Sequence, residues 1–202
     1  MTKEKDFDIN RTSIKLIHAD GFFPKGEADA LCSVVTDLQY VKGEYGLELP
    51  NFNLILPDIH LVFSKILGED VIIDRKRSGT IRRPYNGMIH FESFDSPNEW
   101  CFILALEKTT LNIFKHIEDI RLGSIDKTNS RNVLEGYQFN YNNLFEWDIT
   151  SNILLECNQG VFIRPWVFHS LSDTLVQYYR VLPKSMDFVE EVKTDAPLDN
   201  EK

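Results

Sequence analysis

Cysteine is scarce: Cys32, Cys101 and Cys157 are the three in 202 residues. Three widely spaced thiols cannot build a full disulfide framework, and no C-x-x-C pair offers a zinc spacing. They are expected to be reduced and mostly buried. Long apolar runs are missing too. None reaches the ~18 residues of a membrane helix, so no membrane partner is expected. The opening Met1 to Asp6 is charged with no apolar segment behind it. No secretory leader is therefore expected, and the expected location is cytoplasmic. Positive charge is in deficit, with 22 Lys and Arg against 31 Asp and Glu and a net charge of −9. Nucleic-acid binders neutralise phosphates with Lys and Arg, so nucleic acid is disfavoured as a partner. Part of the deficit lies at the end: residues 187–202 hold six acidic and two basic side chains, −4 of the −9. This acidic segment is expected to be a mobile tail.

What the chain does have is apolar and aromatic mass, 43% and 12% of its residues. That suits one compact domain, expected over 1–186. Its helical part is expected over about 22–68. Ala28, Leu31, Val34, Val35 and Leu38 recur at helical spacing between Lys25 and Gln39. A second short helix is expected over Ile59–Leu67, with Asp58 as N-cap and Gly68 closing it. Residues 43–57 read as loop. From about 70 to 183 the texture is short strands: Val71–Asp74, Thr80–Arg83, Met88–Glu92, Trp100–Leu106, Thr109–Ile117, Trp147–Cys157, Gly160–His169 and Thr174–Leu182. Glu107-Lys108 reads as a hairpin turn. Residues 118–143 form a long polar excursion, a lid or a disordered segment. The expected fold is mainly β with N-terminal helices, a jelly roll with the helices on one outer face.

Chemistry-bearing residues gather on three of those strands. His90 and Glu92 are two apart, so strand alternation puts both on one face. Two ligands at that spacing can grip one metal ion. His169 closes a later strand. Two imidazoles and one carboxylate that leave other positions open make the facial triad of non-haem Fe(II) oxygenases. Arg180 follows on the next strand, sharing a face with Thr174, Val176, Tyr178 and Leu182. Its planar fork matches a carboxylate, and a buried arginine needs an anionic partner. The distal carboxylate of a 2-oxo diacid would supply one.

The order His90-Phe91-Glu92, then Pro165-Trp166-Val167-Phe168-His169, then Arg180 resembles the Fe(II)/2-oxoglutarate-dependent dioxygenase superfamily, in the layout of its prolyl-hydroxylase-like branch. The resemblance spans about 14–183 and includes Gly21-Phe22-Phe23-Pro24 ahead of the first helix. It implies a double-stranded β-helix of cupin-like type. It implies His90, Glu92 and His169 as catalytic metal ligands for Fe(II), and Arg180 for 2-oxoglutarate. The implied reaction is a hydroxylation, in which O2 converts 2-oxoglutarate to succinate and CO2 while a C–H bond of a small-molecule or peptidyl substrate, a prolyl or other amino-acid side chain, is oxidised. Two departures matter. The carboxylate is Glu92 where Asp is commoner, which leaves Asp95 as a fallback ligand. Leu182 stands where relatives carry Ser or Thr to help hold the co-substrate, so Tyr85 or Asn112 would take that role.

Blander readings stand beside these. His18, His60 and His116 have no paired carboxylate and read as ordinary histidines. Trp166, Phe168, Phe91 and Phe94 read as barrel packing. The basic cluster Arg75, Lys76, Arg77, Arg82 and Arg83 reads as a solvated face, or else as a contact to an anionic substrate. Two other functions compete with the oxygenase. One is a cupin-like metalloprotein without 2-oxoglutarate; the other is a non-catalytic jelly-roll binding module.

Overall fold

The computed structural model describes residues 3–9, 12–19, 22–23, 25–36, 38–43, 46–49, 55, 57–92, 94–96, 98–116 and 144–184. The expected 118–143 excursion and 187–202 tail lie outside them. Twelve strands and two α-helices are present among the described residues. In chain order they are β1 (Lys3–Ile9), β2 (Thr12–Ala19), α1 (Lys25–Thr36), β3 (Val41–Lys42), β4 (Gly46–Glu48), α2 (Ile59–Leu67), β5 (Val71–Ile73), β6 (Ile81–Pro84), β7 (Trp100–Ala105), β8 (Thr109–His116), β9 (Trp147–Leu155), β10 (Gly160–Ile163), β11 (His169–Leu171) and β12 (Val176–Pro183).

Two antiparallel sheets carry the chain. The larger runs β1-β2-β10-β7-β12-β6-β4-β3, with β5 also on β12; the smaller runs β11-β8-β9. From β6 onward the chain keeps crossing between them. It leaves β6, touches the small sheet at the His90↔His169 bridge, and returns as β7. It crosses again to β8 and β9, back to β10, over to β11 and back to β12. This winding is a jelly roll, two facing sheets with a core between them.

Alternation along the central strands decides what faces what. On β7, Cys101, Ile103 and Ala105 point between the sheets, where they meet Leu111 and Ile113 of β8 and Leu171 of β11. Trp100, Phe102 and Leu104 point the other way, onto a layer built with Phe63 of α2 and Val35 of α1. On β12, Val176 and Tyr178 face inward while Tyr179 and Val181 face the helices. A strand covered on both faces reads as a continuous apolar run, which is how β7 and β12 appear in the sequence. β9 has one open face, and Ile149 and Leu154 are exposed on it.

Several expectations need correction. Trp100–Leu106 and Thr109–Ile117 are not a hairpin, because β7 and β8 belong to different sheets. Gly160–His169 is not one strand. β10 ends at Ile163, the chain turns through Arg164–Val167, and β11 starts in the other sheet. Arg180 therefore lies on a different sheet from His169, beside Cys101 of β7. Met88–Glu92 makes a single bridge rather than a strand. The expected 43–57 loop contains β4, which extends the large sheet beyond β6. Asp58 does not cap α2 with its side chain; it sits in the left-handed region at φ 59. Gly68 does close that helix at φ 71. α1 ends at Thr36, short of the expected Gln39, and Val34 on it is exposed, so its buried face is narrower than its apolar spacing suggests. Cys157 is exposed, contrary to the expectation of mostly buried thiols. No helix among the described residues is long and apolar enough to cross a membrane.

Candidate metal centre

His90, Glu92 and His169 converge where the His90↔His169 bridge joins the 86–92 segment to β11. One ligand atom from each lies within 4.8 Å of the others, and all three residues are buried. The backbone makes this meeting. His90 and His169 exchange N–H···O=C bonds of 2.9 and 2.8 Å, and Glu92 N donates to Pro165 O at 2.9 Å. The strand was absent but its consequence survives, since His90 and Glu92 still point the same way. His90 Nε2 lies 3.6 Å from Glu92 Oε1, and the two imidazole centroids are 4.3 Å apart.

The ring nitrogens are sorted by the backbone. His90 Nδ1 lies 3.0 Å from Met88 O and His169 Nδ1 lies 2.9 Å from Val167 O. Each ring thus uses Nδ1–H on a carbonyl two residues back, which assigns the lone pair to Nε2. This is the outer contact that orients metal-bound histidines. His169 Nε2 is buried and has no hydrogen-bond partner. Burial, reinforced by neighbouring His90, pushes the His169 imidazole down to about 3, so it stays neutral. Neutral imidazole is the form that ligates a metal. Burial alone would push the Glu92 carboxyl up; Arg82, with His90 and His169, outweighs it and holds it far below the usual carboxylate range. Two imidazoles and a carboxylate fit a hard-to-borderline divalent cation.

Asp95 is not in this cluster. Its side chain is 65% exposed and pairs with Arg77 at 3.2 Å. Glu92 is the carboxylate the structure brings to the two histidines. Cys101 projects into the same interior, but burial and then Glu92 push its thiol up to about 12.

Arg180 adjoins the cluster and is buried. Its Nη2 lies 4.0 Å from Glu92 Oε2 and its Nη1 lies 3.6 Å from Glu99 Oε2. Nη1 nevertheless makes no hydrogen bond. The charge of Arg180 is therefore balanced within the chain, while a donor of its fork is left over for a planar acceptor. Tyr85 and Asn112 are not brought to this point. Tyr85 donates its hydroxyl to Gly43 O at 3.3 Å. Asn112 turns to the face of β8 opposite Leu111 and Ile113, where it accepts from Asn152 at 2.8 Å.

Three further charged residues surround the cluster, and of these only Arg82 is among the sequence candidates, within the basic cluster. Arg82 is not on a solvated face. Its Nη1 lies 3.2 Å from Glu92 Oε1, its Nε 3.0 Å from Glu48 Oε1, and its guanidinium sits 4.6 Å from the centre of the Tyr178 ring. The signal was available: Ile81 packs toward the helices, so its neighbour on β6 must face inward. Glu99 is fully buried and accepts from Asp95 N and Ser96 N at 2.9 Å each. It also faces Arg77 at 3.5 Å. Glu48 of β4 reaches Arg82 through sheet pairing that no local pattern encodes. Phe91, Phe94, Trp147 and Phe168 pack as a separate apolar group beside the histidines, with Trp166 against it.

No protein-family model matches this chain, and no curated protein sequence matches it. Solved structures do. The non-heme alpha ketoglutarate dependent epimerase SnoN from nogalamycin biosynthesis superposes with a TM-score of 0.50 at 10% identity, over 83% of this chain and 78% of that one. HygX from Streptomyces hygroscopicus, solved with nickel, 2-oxoglutarate and hygromycin B bound, gives a TM-score of 0.48 at 10% identity, over 84% and 82%. At this identity the SnoN likeness establishes a shared fold, the jelly roll traced above.

Proposed function

We propose that this chain is an Fe(II)- and 2-oxoglutarate-dependent oxygenase whose outcome is hydroxylation of a C–H bond. The observation that carries the proposal is the buried His90, Glu92 and His169 cluster, with ligand atoms within 4.8 Å, set against a buried arginine with a donor to spare. A shared fold with a 2-oxoglutarate-dependent enzyme agrees with it. When bound, iron would supply the activation of O2 that couples oxidative decarboxylation of 2-oxoglutarate, to succinate and CO2, with oxidation of substrate. The chain's residues supply the rest. His90 and His169 offer Nε2, and Glu92 offers a carboxylate kept ionised. Arg180 presents its fork to the distal carboxylate of 2-oxoglutarate. Ile103, Ile113 and Val161 wall the interior with apolar surface that keeps water out. The motif order resembles the prolyl-hydroxylase-like branch, and a peptidyl or small-molecule substrate fits that branch.

Succinate release tests the assignment. Air-exposed protein with Fe(II) and 2-oxoglutarate should form succinate, and His169→Ala should not. Equal succinate from both proteins sinks the proposal.

One observation favours a second reading, a cupin-like metalloprotein without a co-substrate. Glu92 and Glu99 already neutralise Arg180, so its burial alone does not require a 2-oxo acid. Metal binding with no affinity for 2-oxoglutarate would select that reading.

A further inference from the structure

Glu92 has two suitors. Arg82 approaches Oε1 at 3.2 Å and Arg180 approaches Oε2 at 4.0 Å. A carboxylate and a guanidinium prefer a two-pronged pairing at hydrogen-bond distance. Glu92 and Arg180 stop short of that. Each is restrained from its far side: Arg180 faces Glu99 at 3.6 Å, and Glu92 is held by Arg82. Arg82 is itself anchored by Glu48 at 3.0 Å and lies over the Tyr178 ring. The result is a row of alternating charge, Glu48, Arg82, Glu92, Arg180, Glu99, with the histidines beside its middle member.

We infer that Arg82, anchored by Glu48, is a positioning residue that keeps Glu92 turned toward His90 and His169 instead of collapsing onto Arg180. The inference rests on the metal-centre reading above and deepens it. It assigns a task to β4, the strand that carries Glu48 and pairs with β6. Arg82 acts through Glu92: it holds Oε1, the oxygen that also faces His90 Nε2 at 3.6 Å. Two effects oppose each other when it is removed. Loss of a positive charge near the centre would tighten cation binding. Release of Glu92 to pair with Arg180 would weaken it and also mask the fork meant for the co-substrate. Loss of an outer contact to a ligand usually costs ~10–100-fold in metal affinity, so the second effect is expected to dominate.

The test is Mn(II) binding to the full chain, read from the EPR signal of free Mn(II), with thermal unfolding as the check on folding. Arg82→Gln should weaken Mn(II) binding ~10–100-fold. Glu48→Gln should weaken it by a smaller factor and add nothing in the Arg82→Gln background. Arg82→Lys keeps the charge but loses the fork, and should fall between the parent and Arg82→Gln. Removing the competitor should rescue: Arg82→Gln/Arg180→Gln should bind Mn(II) more tightly than Arg82→Gln alone. If Arg82→Gln does not fold, Glu48→Gln carries the test by itself. Unchanged or tighter Mn(II) binding in the folded Arg82→Gln or Glu48→Gln protein overturns the inference, as does absence of rescue. A parent protein that binds no Mn(II) overturns the metal-centre reading itself, and the inference falls with it.

Discussion

His90 and His169 are paired through their backbones before they are paired through their rings. They exchange hydrogen bonds of 2.9 and 2.8 Å, and this bridge joins the 86–92 segment to β11. A slip of one residue would turn either side chain to the opposite face. The bridge therefore fixes the two imidazoles together, and Glu92 follows through its own bond to Pro165.

Removing one ring should leave the bridge and lose the metal. His169→Ala is expected to keep the fold, since backbone atoms make the bridge. Its Mn(II) affinity should drop by more than the ~10–100-fold typical of losing an outer contact. Titration with EPR detection checks this, with the circular dichroism melt as control.

Arg180→Gln separates the co-substrate from the metal. Truncating a buried charged partner costs about 2–5 kcal/mol, so 2-oxoglutarate binding should weaken at least ~30-fold. Mn(II) binding should be retained, because Arg180 is not a ligand and competes for Glu92. Calorimetry with each ligand in turn checks both statements.

The metal-free protein should lose stability in mild acid. The folded His169 imidazole is held down at about 3, against about 6.5 in the unfolded chain. Above about 6.5 the ring is neutral in both states. As pH falls below that, the unfolded chain takes up a proton that the folded chain refuses, so stability declines toward pH 3. Glu92 adds a decline of the same sign only below about 4.3, the ordinary carboxylate value. The slope between pH 6.5 and 5 should therefore flatten in His169→Gln, as measured by urea unfolding at each pH.

The helix layer should be as costly to disturb as the barrel interior. Phe63 of α2 is fully buried, with ring contacts to Phe102, Phe162 and Tyr179 at 4.8, 5.0 and 5.7 Å. Phe63→Ala should cost about 3–5 kcal/mol. Gly160 of β10 has the Phe102 ring where a Cβ would stand. Gly160→Ala should cost about 1–3 kcal/mol by overpacking. Urea midpoints give both values.

Much of this was legible in the chain, for reasons that differ from residue to residue. α2 was readable to its ends because apolar spacing and a glycine stop agree there. His90 and Glu92 share a direction because alternation holds even where ladder pairing does not. Sheet membership was not legible. β7 and β8 look like a hairpin because a short connection between apolar strands reads the same whether the second strand folds back or crosses to a facing sheet. The division of Gly160–His169 at Arg164–Val167 was hidden for a related reason, since both halves are apolar. Arg82 reads as solvated by its charge alone, although alternation with Ile81 turns it inward. Glu48 and Glu99 reach the centre through contacts far apart in sequence, which no local pattern encodes.

Ordered ligand binding tests the central claim most directly. 2-Oxoglutarate is titrated by calorimetry into Mn(II)-loaded protein, metal-free protein and His169→Ala under anaerobic conditions. Binding to the loaded protein, and none to the other two, is expected. No binding to the loaded protein, or equal binding with and without the metal, would contradict it.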